Sequence, residues 1–540
     1  MKGHTLFALL YAVSACLTET RTYSLEAQVA DSYARCNALA TMDFSRIPDA
    51  VTQVLKTHIE QRVDDVPEYC EVSGYVTPSI RFLLRLPSDG WNGKFIELGC
   101  GGSCGTTEHI TKCADPLRRG YACIVSDGGH SSNGGDMKWA YNSPQAVVDY
   151  VVRASHVTAL AGKVLAERYY GTPPKKSYFM GCSAGGLQAL SEVQRFPWDF
   201  DGIIAGNPSM SVSQDWMNHL WTKRTMVDER GERILSQRDI ESLHKAVVTK
   251  CDLNDGIKDG LIGDPRGCSF DPEELSCAKH KADGCFSSSQ VDAVRRMYAG
   301  PTTKNGTPIG IPFAFKGSEL TWESTWIGST SNPVGEDSYL SEWFRYYLFQ
   351  PNPGPSWTTK DFDFDRDYQR FGVAELTEPL NSDLRRFRSR QGKLLMYSGW
   401  NDTAASVGRT VDYYENAEKL LGGRAATQNF FRLFVVPGMN HCRGGEGPFA
   451  IDYLSYLENW VEKDKAPDEL VGSHITFGDL WDKALQGDQV AKRQLEKLQQ
   501  FPLDPAIVQF SRPVYPYPIQ TKYRGRGDPK DIANFSPVAP

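Results

Sequence analysis

The chain has 540 residues, of which 40% are hydrophobic and 23% charged, with a formal net charge of −7. That length exceeds one ordinary hydrophobic core, so two domains, or one domain with a large insertion, are expected. The composition excludes a disordered chain, and the acidic balance without basic runs gives no footprint for nucleic acid or an anionic membrane surface.

In chain order, Met1-Lys2 leads into an apolar stretch from Leu6 to Leu17 that is too short to cross a bilayer, with small residues at Val13-Ser14-Ala15. Residues 1–17 therefore read as a signal peptide, and the mature protein is expected to be secreted and extracellular. Val13-Ser14-Ala15-Cys16 also resembles a bacterial lipobox. Of the thirteen cysteines, removal of Cys16 leaves twelve, an even number suited to disulfides in an oxidising compartment. None has the paired spacing of a zinc site. Asn305-Gly306-Thr307 and Asn534-Phe535-Ser536 are possible glycosylation acceptors.

Ile80 to Leu86 alternates like a strand, and Lys94 to Leu98 and Tyr121 to Ser126 are compact apolar runs. Gln145 to Tyr170 has helical periodicity, and Ser177 to Met180 and Gly202 to Gly206 read as further strands. Strands alternating with helices imply an α/β fold with a largely parallel sheet. The rhythm resumes with strands Lys393 to Tyr397 and Phe431 to Val436. Residues 208–391, rich in Trp, Asp, Gly and Pro, break it. They are expected to form a lid inserted into a catalytic domain made of residues 18–207 and 392–540.

Gly181-Cys182-Ser183-Ala184-Gly185-Gly186 fits G-x-S-x-G between a predicted strand and a predicted helix. This is the context of the nucleophile elbow of α/β-hydrolases, whose sharp turn needs small neighbours around a strained serine. The acid and base follow the serine in that fold class. Asp402 lies just past the strand Lys393 to Tyr397, and His441 just past Phe431 to Val436, so Ser183, Asp402 and His441 are the expected triad. The oxyanion would be met by the N–H of Ala184 and by a second donor in Gly99-Cys100-Gly101-Gly102. Gly101 is the choice there, with Cys100 or Gly102 as alternatives. Cys182 precedes the serine and Cys442 follows the histidine. If the triad closes, a Cys182–Cys442 disulfide would tie base to nucleophile.

Cys-Ser, then Asp, then His-Cys resembles the signature of the tannase and feruloyl esterase family. Arg118-Arg119-Gly120-Tyr121-Ala122, Ser126-Asp127-Gly128-Gly129-His130, Gln194 to Gly202 and Val436 to Cys442 also resemble segments of that family. The resemblance implies an α/β-hydrolase domain with an inserted lid, esters of phenolic acids as substrates, and a structural calcium ion in the lid. The implied calcium ligands are the side chains of Asp252, Asp255 and Asp259 with main-chain oxygens of Ile257 and Leu261, although the spacing is not that of an EF-hand. Disulfides Cys251–Cys268 and Cys277–Cys285 would staple the same region. Cys70–Cys123 is a further candidate pair, while the partners of Cys36, Cys100, Cys104 and Cys113 stay open.

Where relatives often have cysteine, Arg512 to Pro518 has tyrosine. No organic cofactor is expected. The expected substrate is a small or polysaccharide-linked phenolic ester, feruloyl, caffeoyl or galloyl, with another aryl or polyester hydrolase as the alternative and a catalytically silent carbohydrate-binding homologue as the non-enzyme reading. Oligomeric state is not legible. Trp216, Trp221, Trp322 and Trp326 are candidates to stack on an aromatic acyl group, although core packing explains such residues more often. Asn401-Asp402-Thr403 is formally a sequon, and a glycan there would crowd the triad, so Asn401 is expected to be unmodified.

Overall fold

The computed structural model describes residues 31–540 apart from 133–134, 280–283, 323–327, 330–331, 334–338, 373–376, 479, 481–482, 484–487 and 499. The expected signal peptide over 1–17 and Trp326 lie outside the described residues. Two compact units are present. The first comprises residues up to Ile96 with Thr107–Ser126 and Val157–Lys176, and the second comprises Glu97–Thr106, Asp127–His156 and Ser177–Pro540.

The first unit holds β1 (Thr52–Glu60), β2 (Tyr69–Val76) and β3 (Ile80–Pro87); β4 (Lys94–Leu98) spans the boundary, and β5 (Ala122–Ser126) follows. β3 buries Ile80, Phe82, Leu84 and Leu86 and exposes Arg81, the alternation of a strand with one apolar face. Strands β1, β2, β3 and β5 pair antiparallel in that order, an antiparallel set in a fold whose sheet is otherwise largely parallel as expected. Three residues join β2 to β3, and so short a connection permits only antiparallel pairing.

This order also corrects the expected Cys70–Cys123 pair. Cys70 on β2 faces Leu86 of β3, and Cys123 on β5 faces Arg85 of β3, so a whole strand lies between them. Two strand spacings are roughly 9–10 Å, beyond the reach of a disulfide. Cys70 bonds Cys36 and Cys123 bonds Cys113 instead.

In the second unit β6 (Lys176–Cys182), β7 (Gly202–Gly206), β8 (Lys393–Gly399) and β9 (Phe431–Val436) pair parallel in the order β6-β7-β8-β9. Every residue of β7 and β9 is buried, as expected for parallel strands covered on both faces. Helix α1 (Ala154–Tyr170) follows a π-helical turn at Asp149–Arg153, and α2 (Ala184–Arg195) starts at the residue after Ser183. The stretch 208–391 contributes α3 (Val212–Thr225), α4 (Gln237–Cys251) and α5 (Ser288–Ala299). Helices α4 and α5 each open on a capping box, Ser236 with Asp239 and Ser287 with Gln290, which satisfies first-turn N–H groups. Between Met226 and Trp322 the stretch has its own apolar cluster, including Leu243, Val247, Phe270, Phe286 and Val294.

After β9 two further strands lie towards the C-terminus, where β10 (Leu470–Ile475) pairs antiparallel with β11 (Val508–Val514). Beyond β11, the Tyr517 hydroxyl donates to Glu415 Oε1 at 2.6 Å and accepts from Arg266 Nη1 at 2.7 Å. Among the described residues no helix is long and apolar enough to cross a membrane.

Candidate active site

Ser183 sits at the turn from β6 into α2 with φ 65° and ψ −121°. That is the left-handed, strained conformation of a nucleophile elbow, and its cost is sustained only because the surroundings overdetermine it. Glycines make the packing possible. A Cβ on Gly181 would collide with the Gly185 carbonyl, and one on Gly186 would lie 2.5 Å from the Gly206 carbonyl. The Ser183 N–H donates to Gly206 O at 3.0 Å, and its carbonyl accepts from Leu187 N–H at 3.0 Å.

The loop after β8 holds Asp402, which is 1% exposed. Asp402 Oδ1 accepts the N–H groups of Ala404 (2.8 Å) and Ala405 (3.1 Å). Its Oδ2 faces His441 Nδ1 at 2.9 Å and also accepts from the Asn207 amide. Two main-chain bonds lace the acid's loop to the base's loop: Trp400 N–H to Val436 O and Asn401 N–H to Met439 O, both 3.1 Å. Burial alone would depress the His441 pKa, but the Asp402 charge and hydrogen bond outweigh it and raise it above the ordinary 6.5. The Cys182–Cys442 disulfide, with Cα atoms 6.0 Å apart, joins the neighbour of Ser183 to the neighbour of His441.

The structure thus brings all three expected triad residues to the carboxyl ends of β6, β8 and β9. Ala184 is the first residue of α2, and first-turn N–H groups of a helix have no intrahelical partner. On the facing loop, the Cys100 N–H is taken by Gln188 Oε1 at 3.2 Å, which takes Cys100 out of the alternatives and leaves Gly101 and Gly102. The loop is closed by a Cys100–Cys104 disulfide and a Cys104 N–H to Gly101 O bond of 3.1 Å. Gly99 packs on the elbow itself, since a Cβ there would lie 2.7 Å from Gly185 Cα.

Three neighbours were not anticipated. Asn207, the residue after β7, supports Asp402, and its position at a strand's carboxyl end was the signal that could have found it. Asp215 on α3 is 4% exposed, and burial, reinforced by the negative charges of Glu378 and Asp402, pushes its carboxyl well above 3.8. His219, one turn further along α3, is held down to about 4 by burial and is neutral, with Asp402 and His441 in its electrostatic surroundings. Neither fits a sequence motif. Among the tryptophans, Trp322 and Trp221 are core residues, whereas Trp216 is half-buried with its ring 4.9 Å from His219 and stacked 4.8 Å from Trp343. Asn401 of the sequon is buried beside the acid.

In the 3-10 turn and loop after α4, Asp252 Oδ1 accepts N–H groups of Asp259 and Gly260, and Asp255 Oδ1 accepts that of Ile257. Asp259 Oδ1 accepts from Leu261 N–H, and its Oδ2 is 2.9 Å from Arg512 Nη2. Burial raises Asp255 to about 7, and the charges of Asp259 and Asp252 add to the rise. Mutually repelling hard-oxygen donors partly removed from water are a donor set that fits calcium. The disulfides Cys251–Cys268 and Cys277–Cys285 are present in the same region.

The tannase and feruloyl esterase family model matches residues 64–538. The chain belongs to this family. It is a carboxylic ester hydrolase. Among its relatives, a mono(2-hydroxyethyl) terephthalate hydrolase of Piscinibacter sakaiensis is 32% identical over 88% of this chain and 85% of that protein. A probable feruloyl esterase B-2 of Aspergillus flavus is 30% identical over 75% of this chain and 80% of its own. The solved structure of feruloyl esterase B from Aspergillus oryzae superposes with a TM-score of 0.77 at 25% identity, covering 94% of this chain and 100% of that one. The fold is the α/β-hydrolase fold of these enzymes.

A histidine base works only when neutral, so if His441 has that role activity should fall as pH drops through its raised pKa, giving an acid limb above 6.5. Asp402→Asn removes the carboxylate that raises it. The limb should move to lower pH, with kcat reduced by about 10,000-fold, as a pH profile of kcat/KM would record.

Proposed function

We propose that this esterase is a secreted serine hydrolase of phenolic acid esters, of the feruloyl or caffeoyl type attached to plant polysaccharides, acting through Ser183, His441 and Asp402. The observation that carries the reading is the 2.9 Å contact of His441 Nδ1 with Asp402 Oδ2 beside a disulfide that anchors the base to the elbow. With Nδ1–H donated to Asp402, His441 Nε2 takes the Ser183 proton as Oγ bonds to the ester carbonyl carbon. The tetrahedral oxyanion is met by the N–H groups of Ala184 and Gly101. Its collapse breaks the carbon–oxygen bond to the alcohol, which leaves with the proton from His441. Water, deprotonated by the same histidine, then releases the acid and restores Ser183. Residues 208–391 would serve as the lid, and Trp216, half-buried beside His219, is the tryptophan proposed to meet an aromatic acyl group.

A second reading, hydrolysis of terephthalate monoesters, is favoured by the relative of that name. A galloyl ester is the third member of the set. Rates on methyl ferulate, methyl caffeate, methyl gallate and mono(2-hydroxyethyl) terephthalate separate these. If none is hydrolysed, the phenolic-ester reading is abandoned.

A calcium ion on Asp252, Asp255, Asp259 and the main-chain oxygens of Ile257 and Leu261 would neutralise the lid's carboxylates and hold the loop, with no part in the chemistry. Chelation should therefore lower Tm and added calcium restore it. The stabilisation is about 2.7 kcal/mol at an ion concentration a hundredfold above Kd, and kcat should be nearly unchanged. A Tm indifferent to both treatments removes the ion from the account.

A further inference from the structure

A cavity of about 640 Å³ opens at the C-terminal end of α3, bounded by α5 and by loop residues near 302–304 and 360–366. That is within the roughly 300–1,000 Å³ of small-ligand sites. Its lining carries five Lys or Arg side chains against two Asp. Both acids are engaged locally: Asp361 accepts the N–H and hydroxyl of Thr358, while Asp363 accepts from Asp365 N–H and lies 3.9 Å from Lys304 Nζ. Lys304 also pairs with Asp365 at 3.4 Å and Arg366 with Asp367 at 2.8 Å, so the positive excess rests on Arg224, Arg296 and Lys360 against Asp361, and gathering like charges around one hollow is unfavourable unless something negative enters.

Two of the cations are oriented by aromatic faces. The Arg296 guanidinium lies 4.8 Å over the Trp221 ring. That of Arg224 lies 5.3 Å over the half-buried Phe364 ring and donates to the main-chain oxygens of Phe362 and Thr359. Rings attract a guanidinium without cancelling its charge. Arg296 and Lys360 are exposed at the rim. We propose that this cavity binds a carboxylated sugar, a hexuronate unit of an acidic polysaccharide. A guanidinium fork matches the two oxygens of a carboxylate, and a pyranose ring has an apolar face for the Phe364 side of the hollow. A compact inorganic anion would use only the cations.

Helix α3 connects the two places. His219 stands near the triad acid, and Arg224 follows five residues later, about 8 Å along the helix axis. A uronate held here would anchor the polymer that carries the ester, and in that respect the assignment rests on the phenolic-ester reading. Binding itself needs no turnover.

Titration calorimetry of the full-length enzyme with trigalacturonate, with xylotriose as neutral control and inorganic phosphate as small-anion control, tests the assignment. Trigalacturonate should bind at least about tenfold more tightly than either control, and its affinity should weaken with salt. The double variant R296A/K360A should lose about tenfold in that affinity while kcat/KM on methyl ferulate stays within about twofold. K360E alone, a single exposed change, should weaken binding in the same direction if the double variant does not fold. Trigalacturonate binding no tighter than xylotriose, phosphate binding as tightly, or variants that bind like wild type would each overturn the site. If trigalacturonate binds but no ester of the panel is cleaved, the cavity stands and the substrate reading falls; the reverse outcome removes the cavity alone.

Discussion

Ser183→Ala is expected to lower kcat for ester hydrolysis by about 10⁵-fold or more, with far less change in KM. On the proposed mechanism the serine forms the bond that distinguishes the transition state from bound substrate, so its loss removes catalysis rather than uniform binding. The residual rate reflects positioning and the oxyanion donors. Because triad members act as a unit, Ser183→Ala combined with His441→Ala should be scarcely worse than Ser183→Ala alone. Single-turnover kinetics on methyl ferulate, with circular dichroism to verify the fold, measures both. Retention of even a tenth of the wild-type rate by Ser183→Ala would exclude the serine mechanism.

Removing the bridge between nucleophile and base should have the second largest effect. The Cys182–Cys442 disulfide closes a sequence separation of 260 residues. The chain-entropy relation assigns such a loop about 5–6 kcal/mol as an upper figure, and native disulfides commonly contribute roughly 2–5 kcal/mol. The other disulfides already restrict the unfolded chain, so the lower range is expected for C182A/C442A in denaturant titrations.

Catalysis should suffer in addition. Cys442 has φ 66°, a conformation that a non-glycine residue adopts at some cost, and the bridge is one of the constraints that hold it. With the bridge gone, the His441 loop loses its covalent tie to the elbow and keeps its hydrogen bonds to the Asp402 loop. Misplacement of a catalytic group by about 1 Å can cost on the order of 100-fold. A variant with lowered stability and unaltered kcat would show that the loops register themselves without the disulfide.

Much of the site was legible because its residues occupy positions that local rules define. The elbow requires small residues around Ser183, and the acid and base must stand at the carboxyl ends of buried strands. Apolar runs bounded by turn residues made those strand ends visible at Tyr397 and Val436. The cysteines adjoining Ser183 and His441 supplied a long-range contact that local pattern cannot give.

The residues without a local signal share a common cause. Asp215 and His219 lie on α3, 187 and 183 residues before Asp402, so nothing in their own neighbourhood marks them as its surroundings. Asn207 is polar at a strand end, as many residues are, and becomes meaningful only once β7 lies beside β8. The Cys70–Cys123 error was of the same kind: pairing depends on strand order, and β3 intervenes between the two cysteines.

The sequence by itself therefore determined the catalytic candidates, their order and the class of fold, since each follows from periodicity and turn chemistry within a few residues. Only the tertiary structure decided how Cys36, Cys70, Cys100, Cys104, Cys113 and Cys123 pair, that the Cys100 N–H is taken within the Gly99 loop, and which buried polar groups surround Asp402. Those outcomes depend on distances between segments far apart in the chain, which packing and strand order set and no local pattern encodes.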